Sequence, residues 1–137
     1  MKEMLMITLF RLMASMPFSI CRKVGGWLGQ LVFRFDRSTG SVVNANLKHC
    51  MPELLEACGS NRRVKVICEQ TGMTASESAW MWLNPADKTL AKVQRVHGEE
   101  ILKDALEQSG SVVLAAPHLG NWEALGIWLG KRFEIYS

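Results

Sequence analysis

Six consecutive residues, His118-Leu119-Gly120-Asn121-Trp122-Glu123, carry the chemistry that the sequence offers. An imidazole with a carboxylate five positions further on is a general base with an orienting partner. If the loop folds back, Glu123 reaches one ring nitrogen of His118, selects its tautomer and stabilises the imidazolium. The other nitrogen then faces substrate. The natural target of such a base is a hydroxyl proton, and the natural reaction is acyl transfer to an alcohol. Gly120 and Asn121 lie between the two groups and are the candidates for substrate contact. Backbone amides around Gly120 are placed to stabilise an oxyanion, and Asn121 is also a candidate N-cap. A plainer alternative stays open, in which Glu123 is a helix-start charge favoured by the macrodipole and His118 is a loop donor.

The flanking residues indicate what positions this block. Ser111 to Ala116 is an apolar run bounded by Gly110 and Pro117 and reads as a buried strand. Leu125, Ile127, Trp128 and Leu129 continue at near-helical spacing, with Gly130 as a stop. The loop between them would sit at the carboxyl end of a strand, where open α/β sheets bind ligands. Upstream, Lys92 to Val96 reads as a short strand and His97-Gly98 as a turn. Glu99 to Gln108 reads as a helix with Ile101, Leu102, Ala105 and Leu106 in its stripe and Gly110 as its stop. Strand, helix, strand, loop, helix is a parallel α/β rhythm.

The amino-terminal third is apolar and basic. Up to Lys48 seven basic residues face Glu3 and Asp36, a net +5, which leaves −2 for the remainder of a chain whose total is +3. This suits an anionic lipid surface. Nucleic acid is the poorer partner, because the basic residues alternate with Leu, Phe, Val and Met rather than forming a duplex-binding face. Met4 to Cys21 is apolar apart from Arg11 and a few hydroxyls. As one helix it would be roughly 27 Å long, close to a bilayer core of about 30 Å. Arg11 near its middle and a kink at Pro17 weigh against a plain span, so an interfacial helix or a short tilted anchor is an equal alternative. A signal peptide fits poorly, which predicts retention on the cytoplasmic side of a membrane.

Arg22 to Phe35 places Val24, Trp27, Leu28, Leu31, Val32 and Phe35 on one helical stripe. Gly25, Gly26 and Gly29 permit close approach to a second helix or to lipid. Asp36 to Gly40 has the composition of a turn. Ser41 to Cys50 reads as a helix ending before Pro52. Gly59-Ser60-Asn61 reads as a loop with a cap. Arg62 to Leu83 reads as helical with a weak point at Gly72, where a bend would divide it, and Asn84-Pro85 ends it.

Other chemistries fail specific tests. There is no Gly-x-Ser-x-Gly elbow, no phosphate-binding glycine loop and no histidine pair at metal-ligand spacing. Cys21, Cys50, Cys58 and Cys68 include no Cys-x2-Cys pair and read as reduced thiols, so no metal site is expected.

Ala116-Pro117-His118-Leu119-Gly120-Asn121-Trp122-Glu123 resembles the His-x4-Glu block of the bacterial lipid A biosynthesis acyltransferases, the lauroyl/myristoyl transferases. Asn44-Ala45-Asn46-Leu47, Met51-Pro52-Glu53-Leu54 and Val96-His97-Gly98 recur in the family's order. The resemblance covers nearly the whole chain but only the first half of a family member, with the next strand due to start at Ile135. It implies an α/β fold: amino-terminal membrane-associated helices (1–35) followed by the start of a parallel-sheet, glycerolipid-acyltransferase-like domain (36–137). It implies His118 and Glu123 as catalytic dyad and an acyl-acyl carrier protein as donor. The implied acceptor is a hydroxyl of a lipid A precursor, at the cytoplasmic face of the cell inner membrane, with no cofactor. The alternatives are a catalytically inactive truncated fragment and a membrane-anchored interaction module.

Overall fold

The computed structural model describes residues 2–53 and 59–136, so Leu54 and Cys58 lie outside the described residues. The chain divides into two compact units, Met1–Leu83 and Asn84–Ser137.

The first unit holds four described helices, α1 (Lys2–Ser15), α2 (Phe18–Phe35), α3 (Arg37–Cys50) and α4 (Ser60–Leu83). Pro17 divides the apolar Met4–Cys21 segment. With no N–H and a φ of −54°, it ends one helix, and its carbonyl accepts from Ile20 and Cys21 at the start of the next. The 14 residues of α1 are about 21 Å long. No helix among the described residues is long and apolar enough to cross a membrane.

Asp36 alone separates α2 from α3, where a five-residue turn is expected from composition. Its carboxylate accepts from the Ser38 amide (2.9 Å), the Ser38 hydroxyl (2.6 Å) and the Thr39 hydroxyl (2.6 Å). This N-cap lets Arg37 to Gly40 join the helix. The same bonds hold the Asp36 pKa down at about 2.

The unit is built on the crossing of α2 and α4. Gly72 lies in an uninterrupted helix rather than at a bend. A Cβ on Gly72 would come within 3.0 Å of Gly25 and Gly29 backbone, and one on Gly29 would strike the Cys68 carbonyl. The absence of side chains at Gly25, Gly29 and Gly72 is what brings the two backbones together. Around the crossing lie buried Cys21, Val64, Cys68, Ala79, Trp80 and Met81, with Met13 from α1. The Trp80 indole donates to the Met16 carbonyl (3.0 Å) and meets Phe18 edge-on (5.1 Å). The Cys21 thiol donates to the Ser76 carbonyl (3.3 Å). Glu77, 8% exposed, is paired with Arg22 at 2.9 Å, which satisfies an otherwise costly buried charge. Cys21, Cys50 and Cys68 are free thiols.

The second unit contains α5 (Ala86–Leu90), α6 (Glu99–Ser109) and α7 (Trp122–Gly130). Gly98 (φ +81°) and Gly110 (φ +73°) flank α6 in the left-handed conformation, and the Gly110 amide closes the last turn on Leu106. Buried Trp128 and Leu129 of α7 and Thr89 of α5 form the small core. Arg132 lies over the Trp128 ring at 4.7 Å, and Lys131 pairs with Asp87 at 3.3 Å.

The expectation of an α/β fold with a parallel sheet is overturned: among the described residues there are helices and no strands. Ser111 to Ala116 and the residues from Val93 to Val96 run outside any helix but join no ladder. Val113 is 97% and Leu114 52% exposed, where a core strand would bury both. The reason is physical. A helix closes its hydrogen bonds within its own segment, whereas a strand needs a neighbour, and an apolar run shows the propensity without supplying the partner.

Candidate active site

The block His118 to Glu123 spans a loop and the first turn of α7. Pro117 begins it, and the Leu119 amide donates back to the Pro117 carbonyl at 2.7 Å, a tight reversal. Gly120 follows with φ +63°, a backbone state open to glycine at no steric cost. Asn121 occupies the N-cap position of α7 with a non-helical backbone (φ −99°, ψ 83°) and no side-chain capping bond; its carbonyl accepts from Ala124. Glu123 then falls in the first helical turn, where the free amides favour a negative charge. The buried Trp128 and Leu129 fix the far end of this helix.

The His118 ring packs on Trp122, with centroids 4.9 Å apart and planes tilted by 57°. His118 is exposed, Leu119 is 82% and Trp122 41% exposed, and Glu123 is half-buried. The structure therefore gathers His118, Gly120, Asn121 and Glu123 on one reversal and one helical turn, with the imidazole open to solvent. A wall of Trp122 beside the ring is the feature that sequence reasoning missed. No helical spacing foretells it, since His118 lies in the loop and Trp122 is the first residue of α7.

Comparison with known proteins shows the family. The family of bacterial lipid A biosynthesis acyltransferases matches residues 1–136. The lipid A biosynthesis lauroyltransferase of Escherichia coli (strain K12) is 30% identical over 123 residues, which cover 88% of this chain and 37% of that protein. This chain thus spans well under half the length of the relative it matches. No solved structure gives a significant match. The family match includes both helical units and the loop at α7, and the chain belongs to the bacterial lipid A biosynthesis acyltransferases.

Proposed function

We propose that the chain carries the catalytic dyad of a lipid A acyltransferase, with His118 as general base and Glu123 as the carboxylate that orients it. The observation that supports this reading is the exposed imidazole on the reversal that opens α7, with Glu123 in the helix's first turn. His118 removes the proton from a hydroxyl of a lipid A precursor as the oxygen attacks the thioester carbonyl of an acyl chain on acyl carrier protein. Collapse of the tetrahedral intermediate forms the ester and expels the thiolate, which takes the proton back from the imidazolium. Amides near Gly120 are the donors for the transient oxyanion, and Asn121 lies beside the acceptor. Residues 1–35 supply membrane contact and residues 36–137 carry the reacting block, at the cytoplasmic face of the inner membrane.

The test is acyl transfer from acyl-acyl carrier protein to a lipid A precursor in membranes that contain this polypeptide and no intact homologue. His118→Ala is expected to lower the rate at least a hundredfold, and Glu123→Gln to lower it less, since general-base catalysis contributes roughly 10²–10⁴-fold. A rate unchanged by His118→Ala removes His118 from the mechanism. A second reading rests on the exposure of residues 111–120, which leaves the imidazole open to solvent on the sides that Trp122 does not cover. In it the chain is an inactive fragment or a membrane-anchored interaction module, and the same assay returns no turnover for parent and variant alike.

A further inference from the structure

The basic residues of the first unit are not spread evenly. A cavity of about 460 Å³ opens where α2, α3 and α4 meet, walled by Trp27, Gln30, Phe33 and Arg34 of α2, Arg37 of α3 and Lys65 of α4. No acidic residue lines it. Arg34, Arg37 and Lys65 are exposed and enter no ion pair among the described residues, whereas Arg22 on another part of α2 is committed to Glu77. Asp36, the acid nearest in sequence to Arg34 and Arg37, has both carboxylate oxygens engaged by Ser38 and Thr39 at the start of α3, and Glu69, one turn after Lys65, lies against Gly26 and Gly29 and does not line the opening. Three unpaired cations from three helices thus converge on one opening.

Apolar surface accompanies this charge. Trp27 is 60% exposed and Phe35, just beyond Arg34, is 76% exposed. Aromatic side chains with a polar edge or a neighbouring cation settle at the boundary between headgroups and acyl chains. Guanidinium groups match phosphate geometry with two parallel donors each. The first unit as a whole carries ten basic and six acidic residues, a net +4, while the second carries −1.

We propose that this cavity seats the phosphate headgroup of an anionic phospholipid and docks the first unit on a negatively charged bilayer, with Trp27 and Phe35 entering the interface. The inference rests on the membrane contact proposed above but not on acyl transfer. It extends that contact from α2 to Arg37 of α3 and Lys65 of α4, beyond residue 35. Charge complementarity selects the occupant: the site has donors and no acceptor carboxylate, and its rim is apolar, which a free soluble anion does not require.

The test is co-sedimentation of the 137-residue chain with vesicles of phosphatidylglycerol mixed with phosphatidylcholine, against vesicles of phosphatidylcholine alone. No acyl donor is present, so this result and the acyltransferase assay fail independently. The parent is expected to prefer the anionic vesicles. Substituting Arg34→Gln, Arg37→Gln and Lys65→Gln together should weaken binding roughly a hundredfold, at about fivefold per cation near a charged surface. Trp27→Ala should weaken it further in the same background. A control with equal charge loss, Lys48→Gln, Lys88→Gln and Lys92→Gln, should lose much less. If the triple variant loses its helical circular dichroism, the single variants Arg37→Gln and Lys65→Gln carry the test. Equal losses in the two triple variants overturn the proposal, as does equal binding to neutral vesicles or displacement of the vesicles by a single-stranded RNA.

Discussion

At the scale of single residues, Asp36 is a firmly committed charge among the described residues. One carboxylate holds the start of α3 through three hydrogen bonds, and its pKa sits at about 2 against an ordinary value of 3.8. A carboxyl whose folded pKa lies below its unfolded one stabilises the fold at pH above the unfolded value. That contribution is lost as pH falls from about 3.8 through about 2. The Asp36→Asn variant is therefore expected to have a lower urea midpoint than the parent at pH 6, and the gap should narrow as pH approaches 2. Chemical denaturation at pH 6, 4 and 2 measures it, and a gap independent of pH would show that the charge is not what caps α3. The contrast with the proposed catalytic block is instructive. His118 and Glu123 stand out in the sequence as candidates through their spacing and the family resemblance of the block around them. Asp36 has the composition of a turn, and only the backbone of Arg37 to Gly40 reveals that it opens a helix.

At the scale of elements, the α2–α4 crossing is decided by glycine. In the sequence Gly25, Gly29 and Gly72 look like weaknesses, each costing about 1 kcal/mol of helix propensity relative to alanine. Their compensation is long-range, which is why the stripe of α2 was legible but its partner was not. Gly72→Ala sets the two effects against each other. The new methyl would strike backbone of Gly25 and Gly29, which no rotamer change relieves. Overpacking of about 1–3 kcal/mol should exceed the propensity gain, leaving the first unit destabilised by on the order of 1–2 kcal/mol. Gly126→Ala in α7 has nothing within 4 Å of the added methyl and should stabilise its helix by about 0.5–1 kcal/mol. Thermal or urea unfolding followed by far-ultraviolet circular dichroism reads both. Stabilisation by both substitutions would mean that the crossing is looser than the structure has it. The strands failed for the mirror-image reason. Val112, Val113 and Leu114 carry β propensity in their side chains, but the other half of every ladder bond must come from elsewhere.

At the scale of the whole molecule, the two units differ in what protects their backbone. The first buries Trp80, Met81, Val64 and Cys68 along helices that close their own hydrogen bonds. The second keeps a small core at Trp128, Leu129 and Thr89, and between α6 and α7 its chain lies exposed from Ser111 to Gly120. Local opening free energy follows buried contacts and internal hydrogen bonds, so amide exchange should map this difference. Amides in the interior of α2 and α4 should exchange slowest, those of α7 faster, and those from Ser111 to Asn121 at close to the unprotected rate. Hydrogen–deuterium exchange with mass spectrometry resolves these segments without any substitution. Slow exchange at Val112 to Ala116 would mean that their amides have found acceptors in solution, and the exposed loop would have to be redrawn as a paired strand. Fast exchange there, combined with acyl transfer that depends on His118, would mean that a freely moving loop presents the base. Since a loop that orders around its substrates draws on binding energy to do so, adding acyl donor and lipid acceptor should then slow exchange at residues 111–121 and leave α2 and α4 unchanged.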